Sequence, residues 1–161
     1  MMKKLLLTAL AVFAFGFTNA QETKFGVKAG LDLLSAKIDG GGSTSATGFF
    51  VGGFVEFGIA ENFELQPGLN YHNASKDGID FSYLSIPVLG KYTIAENFNA
   101  LFGPSLYYSL DSDDVDSTRF NLDLGVSYNF TENFFVEPRY SVGLTGDVKV
   151  SHLLIGVGYV F

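Results

Sequence analysis

The chain has 161 residues, no cysteine and a formal net charge of −7. An acidic chain lacks the clustered Lys and Arg that nucleic acid requires, and without cysteine there is neither a disulfide framework nor a thiol metal site. Hydrophobic residues make up 47% of it, with 17 Phe, 8 Tyr and 19 Gly.

The first segment, "MMKKLLLTALAVFAFGFTNA", has a basic start at Lys3 and Lys4, an apolar run from Leu5 to Phe17, and small residues before Gln21. That pattern predicts a secretory signal peptide over 1–20, cut after Ala20. A spanning helix needs about 20 apolar residues, more than the run supplies. Loss of the two lysines takes the charge of the remaining domain, 21–161, from −7 to about −9. No long unbroken apolar run follows residue 20, so the apolar content must be carried by strands.

Period-two alternation predicts eight strands, at about 23–33, 47–59, 63–72, 81–94, 98–110, 118–130, 134–144 and 149–161. In "RFNLDLGVSYNF" the apolar face is Phe120, Leu122, Leu124, Val126, Tyr128 and Phe130. In the last strand it is Leu153, Ile155, Val157, Tyr159 and Phe161. These strands exceed the usual soluble length of about 5–6 residues and match the roughly 9–11 that a tilted strand needs to cross a bilayer.

Between strands two and three, four and five, and six and seven the chain reads "AEN", "AEN" and "TEN". Asn tolerates left-handed backbone angles, so these are predicted tight turns at one rim. Ile59, Ile94 and Phe130 before them, and Phe63, Phe98 and Phe134 after them, would form a girdle at the headgroups. The other connections, about 34–46, 73–80, 111–117 and 145–148, read as longer polar loops. Short turns on one side and longer loops on the other characterise bacterial outer-membrane barrels.

The polar face also carries Gly26, Gly30, Gly52, Gly58, Gly68, Gly103, Gly125, Gly143, Gly156 and Gly158. A narrow barrel interior needs small residues, whereas a solvated outer face does not. The apolar face is therefore assigned to lipid. Parity then places Lys24, Lys28, Asp32, Glu56, Glu64, Lys91, Asp123, Glu137 and Arg139 in the lumen as an interlocked charge network. Pro67, Pro87, Pro104 and Pro138 fall within strands, where β-bulges would absorb them. The expected fold is all-β: an eight-stranded antiparallel up-and-down transmembrane barrel.

The segments "GVKAGL", "ELQPGLNY", "YLSIPVLGKY" and "FFVEPRYSVGL" resemble the outer-membrane β-barrel domain family typified by PorT, similar in build to small OmpX-like barrels. The resemblance spans 21–161 and implies an outer-membrane location with lipid around the barrel. It also implies that Leu153, Val157, Tyr159 and Phe161 form the C-terminal signal read by the barrel-assembly machinery.

Three functions fit this reading. The first is a closed barrel with a structural or surface-interaction role and an unidentified extracellular partner. The second is a narrow pore for small solutes, and the third a lipid-modifying hydrolase. No cofactor motif is present. Asp111, Asp113, Asp114 and Asp116 in "DSDDVDS" form a weak Ca²⁺ candidate without the glycine and distal glutamate of an EF-hand, and read better as a solvated acidic loop. For catalysis, His72 and His152 lie near the loop-side rim with Ser82 and Ser151 close by. Strand neighbours point to opposite faces, so Ser151 and His152 cannot pair locally.

Overall fold

The computed structural model describes residues 4, 22–111 and 118–161. Residues 1–20, apart from Lys4, and Asp113, Asp114 and Asp116 lie outside the described residues. Alternating residues build β1 (Thr23–Ile38), β2 (Ser43–Ala60), β3 (Phe63–Lys76), β4 (Ile79–Ala95), β5 (Phe98–Ser109), β6 (Thr118–Asn129), β7 (Phe134–Gly143) and β8 (Val148–Val160). Each strand pairs antiparallel with its sequence neighbours, and β8 returns to β1 to close the barrel. The closing seam runs from Gly26↔Val160 to Ile38↔Val148, and Phe161 N donates to Phe25 O at 2.8 Å. Closure matters because an open edge would leave backbone groups without partners in lipid. The architecture is the one the alternation predicts.

Burial follows the alternation. On β6, Phe120, Leu122 and Leu124 are exposed, while Asn121, Asp123 and Ser127 are buried. A soluble protein would not leave so many large apolar groups outside and so many polar ones inside. The band is closed at the turn side by an aromatic chain. Phe130 stacks on Phe134 at 6.0 Å, Phe134 meets Tyr159 edge-on at 4.8 Å, and Tyr159 meets Phe161 at 5.2 Å.

Two of the three repeated turns behave as their asparagines suggest: Asn62 and Asn97 have φ of 63° and 66°. The register shifts by one residue just before each, between Gly58 and Ala60 and between Thr93 and Ala95. The third turn is built differently. Thr131 Oγ1 accepts from Asn133 N and Phe134 N, and Asn133 Nδ2 donates to Val160 O at 2.8 Å.

The loop side departs from expectation. Strands β1 and β2 continue past the predicted ends to a short connection at 39–42, and β3 and β4 meet in a two-residue turn at Asp77 and Gly78. Asp77 has φ of 52° and Gly78 of 81°, the paired positive angles of a type I′ hairpin. Once strands leave the membrane both faces are wet, so apolar alternation fades although the ladder persists. The two expected long loops are hairpins.

The prolines also need a correction. No bulge accompanies them. Pairing of β3 with β4 stops after Pro67↔Val88 and resumes at Asn70↔Ser85 in the same register. Similar gaps lie between β2 and β3, between β4 and β5, and between β6 and β7. Each proline keeps its ladder on one side: Pro67↔Val88, Pro87↔Ser105, Pro104↔Leu122 and Pro138↔Ile155. In an antiparallel strand the N–H of a residue points to one neighbour only, so its loss opens only that seam.

The glycine face acquires a specific reason. Phe50, Phe54 and Phe135 point inward and are buried. A Cβ added at Gly26 would overlap the Phe54 ring, one at Gly158 would overlap Phe135, and one at Gly156 would come 2.8 Å from Phe50. Gly26 and Gly158 are the cross-strand partners of Phe54 and Phe135, so these glycines let the rings lie over the neighbouring strand.

Candidate functional site: the lumen and its loop-side mouth

Charged and polar residues fill the lumen in three levels. At the turn side, Lys91 Nζ lies 2.8 Å from Glu56 Oε1 and 3.3 Å from Glu64 Oε2, and Lys24 Nζ lies 3.8 Å from Glu64 Oε1. Gln66 Nε2 donates to Glu56 Oε1 at 2.9 Å.

The middle level joins β1, β6 and β7. Lys28 Nζ donates to Glu137 Oε1 at 3.0 Å and sits 5.1 Å from the centre of the Phe54 ring. Arg139 reaches Glu137 at 3.5 Å through Nη1 and Asp123 at 3.4 Å through Nε. These two are close ion contacts without hydrogen-bond geometry, since Arg139 Nε and Nη1 make no hydrogen bond. Asp123 Oδ1 accepts instead from Ser105 Oγ at 2.6 Å and from Ser141 Oγ.

The level nearest the loops centres on Asp32, fully buried. Its Oδ2 takes His72 Nδ1 at 2.8 Å and the Tyr83 hydroxyl, and its Oδ1 takes His152 Nδ1 at 3.0 Å. A carboxylate only accepts, so both imidazoles present Nδ1–H to it. In neutral His72 the Nε2 is then an acceptor, and Ser85 Oγ lies 2.8 Å from it. Tyr83 stacks on His72 at 4.7 Å, and Tyr107 stacks on His152 at 4.5 Å with ring planes 9° apart.

Each of the nine charges that parity assigns inward has a partner within ion-pair or hydrogen-bond distance, but Lys24, its side chain 45% exposed, sits at the rim and not in the buried network. No local sequence pattern marks the histidine–tyrosine cluster around Asp32 as a unit. Parity places His72, Tyr83, Tyr107 and His152 inward, but only the barrel's stagger brings four different strands to one carboxylate. The serines considered beside the histidines lie elsewhere. Ser82 Oγ bonds Tyr71 and Asn73, and Ser151 Oγ accepts from Gly143 N at 3.4 Å. Asp111 Oδ2 accepts from Ser82 N at 2.5 Å, tying the acidic loop to β4. Leu153, Val157 and Phe161 are exposed on the outer face, and Tyr159 joins them there.

Above the Asp32 level, the loop-side mouth holds a cavity of about 320 Å³ with Tyr83, Tyr107 and His152 as its floor.

An apolar belt, a polar filled lumen and a closed antiparallel meander define a small transmembrane β-barrel. The sequence matches the family described as outer membrane protein beta-barrel domain over residues 5–161, and the chain belongs to that family. Solved structures agree on the fold. Ail, the attachment invasion locus protein of Yersinia pestis, superposes with a TM-score of 0.64 at 20% identity, covering 88% of this chain and 100% of Ail. A structure of Ail with the heparin analogue sucrose octasulfate gives 0.59 over the same shares, also at 20% identity. Neisserial surface protein A gives 0.57 at 22% identity over 86% of this chain and 99% of its own. A search of curated proteins returns no match.

Proposed function

We propose that the protein is a sealed outer-membrane barrel with a structural and surface-interaction role, its hairpins and acidic loop facing the exterior. The observation that carries this reading is the filled lumen. Paired charges, three inward phenylalanines and the Asp32 cluster occupy the three levels in turn. An eight-stranded barrel has room for its own side chains and little more. Conduction would require separating buried ion pairs, which is strongly unfavourable.

Segment 1–20 directs export in this account, and Leu153, Val157, Tyr159 and Phe161 are read during assembly. The glycan analogue found with Ail is a poor guide to a partner here. The loop-side connections and strand ends carry Asp39, Asp77, Asp80, Asp111, Asp113, Asp114, Asp116 and Asp147 against Lys37, Lys76, Arg119 and Lys149. A sulfated polyanion would be repelled by that balance. For the hydrolase reading, the Ser85–His72–Asp32 chain has the connectivity of a catalytic triad, yet Ser85 is 1% exposed and His72 and Asp32 0%. A lipid ester cannot reach that hydroxyl.

Planar-bilayer recording tests the reading. The purified barrel should give no sustained conductance in neutral salt. Steady porin-like currents would overturn it in favour of the pore.

A further inference from the structure

We propose that the loop-side mouth cavity is a binding site for a small organic monoanion, a carboxylate carried on a compact apolar or aromatic body. The site goes beyond the surface-interaction role, and it stands on the mouth of the barrel alone.

Three features of the cavity select that chemistry. Its charged lining residues, among those described, are Lys76 and Arg119. This contrasts with the aspartate-rich rim around it. Arg119 is held in place by the bond from Nη1 to Val148 O, and among the described residues the rest of its planar fork has no other partner and suits a carboxylate. The walls set apolar Leu34, Phe81 and Val150 beside polar Thr44, Ser109 and Asn121. A ligand must therefore bury hydrocarbon as well as place a charge.

The floor supplies the third feature. His152 lines the cavity, is 3% exposed, and has its Nδ1 occupied by Asp32. Tyr107 stacked on one face holds the ring in place. With Nδ1–H given to Asp32, Nε2 of neutral His152 is an acceptor, so the floor meets the apolar body of the ligand and leaves its carboxylate to Lys76 and Arg119. Below it the lumen is packed, so the ligand enters from the loop side and stops there. A volume of about 320 Å³ admits a compact aromatic acid. The acidic rim also disfavours anything carrying several negative charges.

The test uses the barrel in nanodiscs of zwitterionic lipid, titrated with 3-phenylpropionate and with its neutral isostere 3-phenylpropionamide. Backbone amide shifts report the position, and empty nanodiscs give the lipid background. The acid should shift amides around Phe81, Arg119 and Val150 and bind at least about tenfold more tightly than the amide, as expected for a charge-assisted hydrogen bond. Arg119→Gln should abolish that preference. Ala46→Trp, which fills the cavity away from the Asp32 cluster, should remove acid binding while the barrel stays folded by its gel-mobility shift. Lys76→Gln serves in place of Arg119→Gln if the latter fails to fold. Equal affinity for acid and amide, or undiminished binding to folded Ala46→Trp, would overturn the proposal.

Discussion

Lys28 and Glu137 stand 109 positions apart in the chain and meet across the lumen, with Lys28 Nζ 3.0 Å from Glu137 Oε1. Both are buried, and Arg139 approaches the same oxygen at 3.5 Å. Removing the carboxylate leaves two cations without their shared partner. Glu137→Ala should cost about 3–5 kcal/mol of folding free energy, measured by urea titration in lipid vesicles. The double change Lys28→Met with Glu137→Leu should cost less than Glu137→Ala alone, because no lysine is left without a carboxylate at that level and Arg139 keeps Asp123. A double variant as unstable as the single one would show that the pair itself, and not the orphaned charge, carries the stability.

The inward glycines predict a steric coupling. Gly158→Leu drives a side chain into the Phe135 ring. Overpacking of this kind costs about 1–3 kcal/mol. Adding Phe135→Ala should recover part of the loss, and the same vesicle titrations give the comparison. Simple additivity of the two changes would separate Gly158 from Phe135.

The C-terminal residue has two tasks in this account. Phe161 N closes the seam onto Phe25 O, and its ring ends the aromatic girdle at Tyr159. Deleting Phe161 should lower the folded yield in the outer membrane while translocation across the inner membrane continues. Fractionated cells and the gel-mobility shift of folded barrels measure both. An unchanged outer-membrane yield would remove the terminal-signal role.

Much of the barrel is legible in one sequence, and the reason is geometric. A period of two fixes which face each side chain takes, so Asp123 and Glu137 could be assigned inward without any knowledge of their neighbours. Parity does not fix height or angular position. The meeting of Asp32, His72, Tyr83 and His152 depends on register summed over several strands and on the barrel's stagger, and no local pattern encodes that. The extensions of β1 to β4 were missed for another reason. Beyond the membrane both faces of "SAKI" and "STSA" are wet, so alternation fades in β1 and β2, while between β3 and β4 the hairpin signal is the short Asp77–Gly78 pair. The prolines looked like bulges because a missing N–H must be accommodated. The chain instead leaves one seam open beside each and holds its register.

The apolar face of the barrel meets lipid, and the polar, aromatic-filled face is sealed from it. The chain has no tryptophan, so single substitutions report without background. Leu124 is 53% exposed on the outer face of β6, and Phe50 is 2% exposed and points inward from β2. Leu124→Trp and Phe50→Trp, each refolded into vesicles containing lipids brominated along the acyl chain, should differ sharply. Quenching of the tryptophan at 124, with the one at 50 unaffected, is the predicted result. Quenching at 50 with protection at 124 would mean that the faces are reversed, and the membrane-barrel account would fail.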